Sequence, residues 1–393
     1  MSPDYKPILR LVDAIPSEWQ GQPVFLLKDP VGLVEEILVI PQSLGFLLAL
    51  MDGNHDLRDL QVEATKKLGV LVPLEEIQKI VEYLNEKGFL WSEKFEEIKN
   101  RVYEKWLELK VRPMAYANQA YPLSSAEAKF FVEDILNLAQ PSSSSPRILI
   151  APHIDIKVGA RAFGESYRKF KPVTGSRIIV LGVGHHLDLP YSVLTKNLAS
   201  PFGIIKNDRG GVLYLNRSKR LELYPDHIAH KLEHSIEFQA LFLHYLLKDE
   251  FVMLPILIGP LFHLVNQRDL VRSLIEGLIE LIDEKTYIVL GIDFCHLGIR
   301  YGDLFPATDT HIEKALQIDK IFVELSIDGE EEKFLEKAEE YKDMKICGLG
   351  CLYFLNLFLR YANLKGSLEI YYQEGLPFGP GSVVSVVSAG YSF

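Results

Sequence analysis

The sequence predicts an α/β protein: a central, mostly parallel or mixed sheet with helices on both faces, preceded by a small winged-helix-like α+β domain. Three observations carry this. From about residue 112 onward, short apolar runs of strand length alternate with helix-length amphipathic runs, the signature of a sheet covered on both sides. Before residue 112 the texture differs, with short helices packed between strand-like wings. At 393 residues the chain exceeds one typical domain, and 48% hydrophobic with 24% charged residues is ordinary globular composition. The expected division is 1–111 and 112–393.

Within the first region, Val34–Val39 reads as a strand, and Pro41 opens a helical run to Met51 that Asp52-Gly53-Asn54 stops. Leu57, Leu60, Ala64 and Leu68 mark a second helix ended by Gly69. Leu74–Lys87 with Gly88 behind it supplies a third, followed by a short strand Phe89–Trp91. Glu93–Leu109 carries Phe95, Ile98, Val102 and Trp106 at helical spacing and reads as a connector. In the second region the strands are Arg147–Ala151, Ser176–Leu181, Phe251–Ile258, Thr286–Leu290, Leu368–Tyr372 and Val383–Val387. Helices fall between them at Ser125–Ala139, Ala160–Tyr167, Ala229–Leu247, Arg268–Ile282, Asp309–Leu325, Glu330–Lys337 and Gly350–Asn363. The run Ser142–Ser145 reads as a surface loop.

Composition excludes several classes of function. A formal charge of −11 opposes a nucleic-acid grip. The third N-terminal helix carries Glu75, Glu76, Glu82 and Glu86 where a DNA-reading helix would be basic. The 3 cysteines are too few for a disulfide framework and point to a reducing, cytoplasmic compartment. The opening MSPDYKPILRLVDAIP lacks the apolar run of a signal peptide, and Phe251–Val265 is broken by Pro255 and Pro260, so no membrane anchor is expected.

Chemistry concentrates at strand ends. All but two of the histidines lie between His153 and His296. In open α/β sheets ligands bind just past the carboxyl ends of strands. Arg147–Ala151 runs into Pro152-His153, Ser176–Leu181 into Gly182-Val183-Gly184-His185-His186, and Thr286–Leu290 into Gly291-Ile292-Asp293-Phe294-Cys295-His296. Imidazole, thiolate and carboxylate form the ligand set of zinc, iron or copper, and three protein ligands leave a position open. His230 and His234 are four apart, but His230-Lys231-Leu232-Glu233-His234 lacks the glutamate that zinc peptidases place directly after the first histidine. His234 and Glu237 are expected to point inward as supporting or proton-transfer groups, and His227 and His230 to be solvated. Cys351 reads as a small core residue. Cys347, before Gly348 and Gly350 at a helix start, reads as a thiolate ligand or nucleophile of lowered pKa. Gly182-Val183-Gly184 is too short for a dinucleotide fingerprint, and no P-loop or GxSxG elbow occurs.

Taken in order, Ala151-Pro152-His153, Gly182–His186, Glu233-His234-Ser235-Ile236-Glu237, Asp293-Phe294-Cys295-His296 and Cys347-Gly348 resemble the motifs of the Memo-like family over residues 112–393. Leu27–Pro30, Asp52-Gly53 and Leu84–Leu90 resemble the extra domain of its longer members, the AmmeMemoRadiSam system protein B group. That extra domain is itself similar to winged-helix modules that bind leader peptides. The Memo-like fold resembles class III extradiol dioxygenases, whose iron is held by two histidines and a glutamate. The resemblance implies metal ligands His153, His186 and Cys347, with His234, Asp293 and His296 lining the same pocket as proton-moving and orienting groups. A thiolate softens the site towards copper or zinc while still admitting iron. It also implies an oxidoreductase working beside a radical-SAM enzyme and the third protein of that system, with a peptide as a ligand of the N-terminal domain. Two other readings are a non-catalytic adaptor that keeps a metal site, and a zinc hydrolase using Asp293 and His296. The chain departs from the family in Pro152-His153-Ile154-Asp155-Ile156, Gly182-Val183-Gly184-His185-His186 and Cys347-Gly348-Leu349, losing a tyrosine and an arginine from the pocket wall.

Overall fold

The computed structural model describes residues 1–141, 145–218 and 221–393, and all of the run Ser142–Ser145 except Ser145 lies outside the described residues. The chain forms two compact units, Met1–Leu109 and Lys110–Phe393.

The first unit opens with an antiparallel hairpin of β1 (Asp13–Trp19) and β2 (Gln22–Lys28), to which β3 (Leu38–Pro41) adds in the order β1-β2-β3. Its turn, Gln20-Gly21, has φ of 51° and 74°, the pair of positive values that matches the right-handed strand twist. Composition hid this hairpin: β1 is almost wholly exposed and contains Pro16, so no apolar alternation announces it. The strand expected at Val34–Val39 begins four residues later. The buried Asp29 carboxylate accepts the Val31 and Val34 N–H groups at 2.9 and 3.0 Å and folds that stretch into a loop. Asp29 is in turn paired with the buried Arg10 at 3.0 Å. Phe89–Trp91 forms no full strand and bridges singly, Leu90 to Leu9. Helices α1 (Gly45–Leu50), α2 (Leu57–Leu68), α3 (Leu74–Glu86) and α4 (Glu93–Glu108) follow. A capping box of Asp56 and Asp59 starts α2, and Gly69 at φ 70° ends it. Leu27, Leu38, Leu47, Leu57, Val81 and Leu84 form this unit's core.

The second unit runs β4 (Val111–Arg112), α5 (Ser125–Leu136), β5 (Ile148–Ala151), α6 (Ala160–Tyr167), β6 (Ser176–Val183), β7 (Tyr191–Val193), β8 (Asn197–Ser200), β9 (Gly203–Ile205) and α7 (Arg209–Ser218). It continues with α8 (His234–Leu247), β10 (Phe251–Ile258), α9 (Leu261–Asn266), α10 (Arg268–Ile279), β11 (Thr286–Gly291), β12 (His296–Gly298) and α11 (Asp309–Asp328). The last elements are α12 (Glu331–Glu340), α13 (Leu349–Ala362), β13 (Ser367–Pro377) and β14 (Ser382–Ser392). The main sheet has the order β12-β14-β5-β11-β6-β10-β7, with β13 paired to β14. Its centre, β5-β11-β6-β10, is parallel and entirely or almost entirely buried, while β7, β12, β13 and β14 join antiparallel. The result is a mixed α/β sheet flanked by helices. A smaller sheet, β4-β8-β9, stands apart.

Alternate residues of the parallel strands pack to opposite faces. Ile179, Leu181, Ile256 and Leu290 join Leu352 and Phe358 of α13 in one large core. Gly182 and Gly291 face the other way, towards α8, and here glycine is required: a Cβ on Gly291 would collide with the Ser235 carbonyl, and one on Gly182 would lie 2.6 Å from both Ser235 Oγ and Ile236 Cγ1. The short glycine pattern after β6 therefore lets a helix approach the sheet closely and has no dinucleotide role.

Asp319 of α11 is a charge-capable group sealed inside this unit. Its Oδ1 accepts the Cys295 thiol at 3.1 Å, and its Oδ2 is buried without a hydrogen-bond partner. Burial raises its pKa from 3.8 to about 7. Because the folded protein then holds a proton that the unfolded chain releases, Asp319 contributes stability fully present below about pH 4 and lost as pH rises to about 7. Asp319→Asn should remove this dependence, so that the variant gains on the wild type by up to about 1.4 kcal/mol per pH unit across that window. Urea unfolding at a series of pH values measures it; parallel wild-type and variant profiles would contradict it.

Candidate metal centre

The parallel strands β5, β6 and β11 end at the same edge of the sheet, and the residues after each converge there. Pro152-His153 follows β5, Gly184-His185-His186 follows β6, and Ile292-Asp293 follows β11, which lies between the other two. The fourth contributor is the start of α8. One continuous helix was expected over Ala229–Leu247. Instead a 3-10 turn covers Ile228–Leu232, and Glu233 at φ −79°, ψ 118° breaks it before α8 begins at His234. Glu233 caps the new helix by accepting the Ser235 N–H at 2.9 Å. His230 consequently shares no helical face with His234. Rather than solvated, it is buried, with Nε2 3.1 Å from the Ser192 carbonyl. His227 is half-buried, 3.3 Å from Asp188.

A buried ion pair holds this helix start. Arg112 donates to Glu237 Oε2 at 2.6 Å, to the His230 carbonyl at 2.6 Å and to the Glu233 carbonyl at 2.9 Å. Glu237 also accepts the Ala115 and Tyr116 N–H groups at 3.0 and 2.8 Å and the Tyr121 hydroxyl at 2.5 Å. With its oxygens so engaged, Glu237 takes the supporting one of the two roles expected of it. Three further donors to Glu237 and the carbonyls that Arg112 reaches satisfy the pair and offset the cost of burying two charges.

The imidazoles of His153, His185 and His234 come together in the space that results. Their ring centroids lie 5.1 Å (His153–His185), 5.0 Å (His153–His234) and 5.0 Å (His185–His234) apart. One ligand atom from each lies within 4.8 Å of the others. Two outer nitrogens are tied down by hydrogen bonds, His153 Nδ1 to the Gly291 carbonyl at 2.8 Å and His185 Nδ1 to the Glu233 carboxylate at 3.0 Å, while His234 Nδ1 stands at ion-pair distance, 3.3 Å, from the same carboxylate. The resemblance named His186 as the ligand of this pair, but it is His185 that turns to His153 and His234; both of the adjacent histidines are exposed, and His186 lies outside the trio. Cys347 reaches the same place, with Sγ 3.4 Å from His153 Nε2 and 3.3 Å from the Asp293 carbonyl. Asp293 accepts the His153 N–H at 2.9 Å, and its Oδ2 is 3.6 Å from His153 Nε2. His296 is held through Nδ1 to the Phe294 carbonyl at 2.9 Å and meets the Tyr301 ring edge-on at 4.8 Å.

Burial dominates the electrostatics. Removal from water pushes His153 and His234 down to about 3 and His296 downward, favouring neutral imidazoles. At His185 burial acts the same way, but the Glu233 carboxylate outweighs it and the net shift is upward. Glu233 is itself held ionised against burial by His185. Burial raises Asp293, and it raises Cys347 with the Asp293 charge adding to it. The lowered thiol expected from a helix N-terminus is thus reversed: α13 starts two residues later, and a carboxylate is the nearer charge. Neutral imidazoles, a thiol and a buried acid are together a donor set for one transition-metal ion.

An α/β protein with imidazoles gathered at the carboxyl edge of a mixed sheet is the class this geometry defines. A family model described as "Memo-like protein" matches residues 112–390. A MEMO1 family protein of Aquifex aeolicus is 33% identical over 282 residues, covering 71% of this chain and 73% of the relative. One from Thermus thermophilus is 32% identical over 289 residues, 72% of this chain and 84% of the relative. The human Protein MEMO1 is 24% identical over 244 residues, 60% of this chain and 80% of the relative. The chain belongs to the Memo-like family.

His185, Glu233 and Arg112 are the residues sequence reasoning passed over as parts of this site. The available signal was the helix break, since a glutamate ahead of His234-Ser235 is an N-cap candidate. Glu237→Ala should leave Arg112 buried without its partner and destabilise the second unit by roughly 3–5 kcal/mol. The fall in urea midpoint reads this, and a loss below about 1 kcal/mol, the range of an exposed pair, would show the network to be dispensable.

Proposed function

We propose that the centre binds one transition-metal ion and that the protein is a non-haem iron- or copper-dependent oxidoreductase, working with a radical-SAM enzyme and a third protein in a modification system of the cytoplasm. The observation that supports metal binding is the convergence of His153, His185 and His234 with Cys347 beside them. The donor set fits: imidazoles of depressed basicity offer lone pairs at neutral pH, and a thiol next to them suits copper, iron or zinc. A redox-active ion held there would supply one-electron chemistry and an open coordination position for a small molecule. The chain's own groups would do the rest. His153, His185 and His234 are the ligands we favour, with Cys347 as a fourth donor on losing its proton. Asp293, whose pKa burial raises, can exchange a proton at Oδ2, and His296, whose basicity burial lowers, can accept one at Nε2 while its Nδ1 stays on the Phe294 carbonyl. The resemblance, and not the geometry, carries the redox class and the partners. An adaptor that retains the metal, or a zinc hydrolase with Asp293 and His296 as its acid–base pair, uses the same residues and differs in consuming no oxygen.

The first unit supports a peptide-binding, winged-helix-like role. Strand β3 pairs only with β2 among the described residues, and beside it lies a mostly apolar groove of about 200 Å3 in which Ile40, Leu44, Leu47, Leu48, Ile80 and Tyr83 are joined by Glu76 and Lys79. A strand edge next to such a groove is the geometry of peptide capture by strand addition.

Elemental analysis of protein purified without added metal tests the centre. His153→Ala, His185→Ala and His234→Ala should each lower metal affinity by more than the roughly 10–100-fold typical of losing an outer partner, while His186→Ala should keep the wild-type content. Full content in all three variants, or its loss only in His186→Ala, would place the metal elsewhere.

A further inference from the structure

The outer nitrogens of the imidazole trio differ in what holds them. His153 is hydrogen-bonded to a main-chain carbonyl and His185 to the side chain of Glu233, which also stands at ion-pair distance from His234. Glu233 is only 4% exposed. Its Oε2 lies 3.0 Å and its Oε1 3.2 Å from His185 Nδ1, and Oε1 lies 3.3 Å from His234 Nδ1. The carboxylate is not free to swing. Oε1 also accepts the Ser235 N–H at 2.9 Å, and the residue's own carbonyl takes an N–H of Arg112 at 2.9 Å. The His185 and His234 rings stack at an interplanar angle of 15°.

A neutral imidazole carries one proton, and an ionised carboxylate can only accept. An acceptor at Nδ1 therefore fixes the proton there and leaves the lone pair on Nε2. We infer that Glu233 is a positioning residue that sets the tautomer of His185, holding it with Nδ1 protonated so that Nε2 is the nitrogen offered to a metal ion. With the Gly291 carbonyl doing the same for His153, both imidazoles offer Nε2. The His153 Nε2 does look into the site, towards Cys347 and Asp293. The inference rests on the metal-binding reading for its purpose but not for its geometry.

The test uses the full chain in two measurements. In metal-free protein at alkaline pH, where the imidazoles are neutral, long-range 1H–15N correlation spectra report which ring nitrogen holds the proton. His185 should be Nδ1-protonated in the wild type. Its proton found on Nε2 overturns the inference, with no variant needed. Glu233→Gln keeps an oxygen for the Ser235 N–H and so preserves the cap, but it replaces an all-acceptor group with one that also donates. The His185 imidazole should change tautomer, and Glu233→Asp should recover the wild-type pattern in part. Separately, titration with zinc and with cobalt should show Glu233→Gln binding roughly 10–100-fold more weakly than the wild type. An unchanged tautomer and unchanged affinity in Glu233→Gln would reduce Glu233 to a helix cap and sink the proposal. If the wild type binds neither ion, the metal-binding reading fails by itself, and the spectra still decide what Glu233 does.

Discussion

The burial of Arg112 against Glu237 is the constraint on which the site depends. Two full charges are taken out of water at opposite ends of 125 residues of chain, which is tolerable only because every strong donor and acceptor around them is matched. That matching dictates geometry. The Arg112 guanidinium, a planar fork, can reach Glu237 and the carbonyls of His230 and Glu233 together only if the 3-10 turn stops where it does. Once it stops, Glu233 becomes a cap, His234 becomes the first residue of α8, and its ring is delivered to the edge of the sheet. Tyr116 and Phe238 then meet that ring edge-on at 5.7 and 5.5 Å.

The same desolvation that makes the pair costly also conditions the imidazoles. Burial disfavours charge on these rings unless something nearby outweighs it, and at His185 the Glu233 carboxylate does so. The remaining rings stay neutral and the thiol stays protonated. A site of this kind is poised for a cation: its groups have shed or can shed protons for a positive charge, and they gain little from binding an anion. Glu233 supplies the one fixed negative charge directly behind two of the rings, raising their basicity as donors while remaining outside the trio.

Much of the second unit was legible from residues alone, because parallel strands buried on both faces are continuous apolar runs. Arg147–Ala151, Ser176–Leu181, Phe251–Ile258 and Thr286–Leu290 are unmistakable as such. Strands with other means of support were not. β1 is exposed, β7 and β9 are three residues each, and β13 alternates only partly buried residues, so none has a clear pattern. At the site, placement after a strand identified His153 and Asp293 directly. The choice between His185 and His186 could not be read, since adjacent side chains point apart and the turn after Gly184 decides which one faces inward. Glu233 was hidden for a related reason: the run His227–Leu247 has the apolar spacing of a single helix, and the break arises from Arg112, far away in sequence. The Cys347 microenvironment likewise depends on Asp293, which no local reading could place beside it.

Strand β14 sits between β5 and β12, and its Ser385 ties down the stretch that carries Asp293 and Cys295. The Ser385 carbonyl accepts the Phe294 N–H at 3.0 Å, its N–H reaches the Cys295 carbonyl at 2.9 Å, and its hydroxyl takes the Cys295 N–H at 2.8 Å. Residues 382–392 are therefore a structural prerequisite for the loop that faces His153. During synthesis on a ribosome, β5 must wait, unpaired on its β14 side, until this late strand emerges. The loop that faces His153 is thus completed by a strand far along the chain, and a metal ion that needed that loop would be held only once β14 has paired.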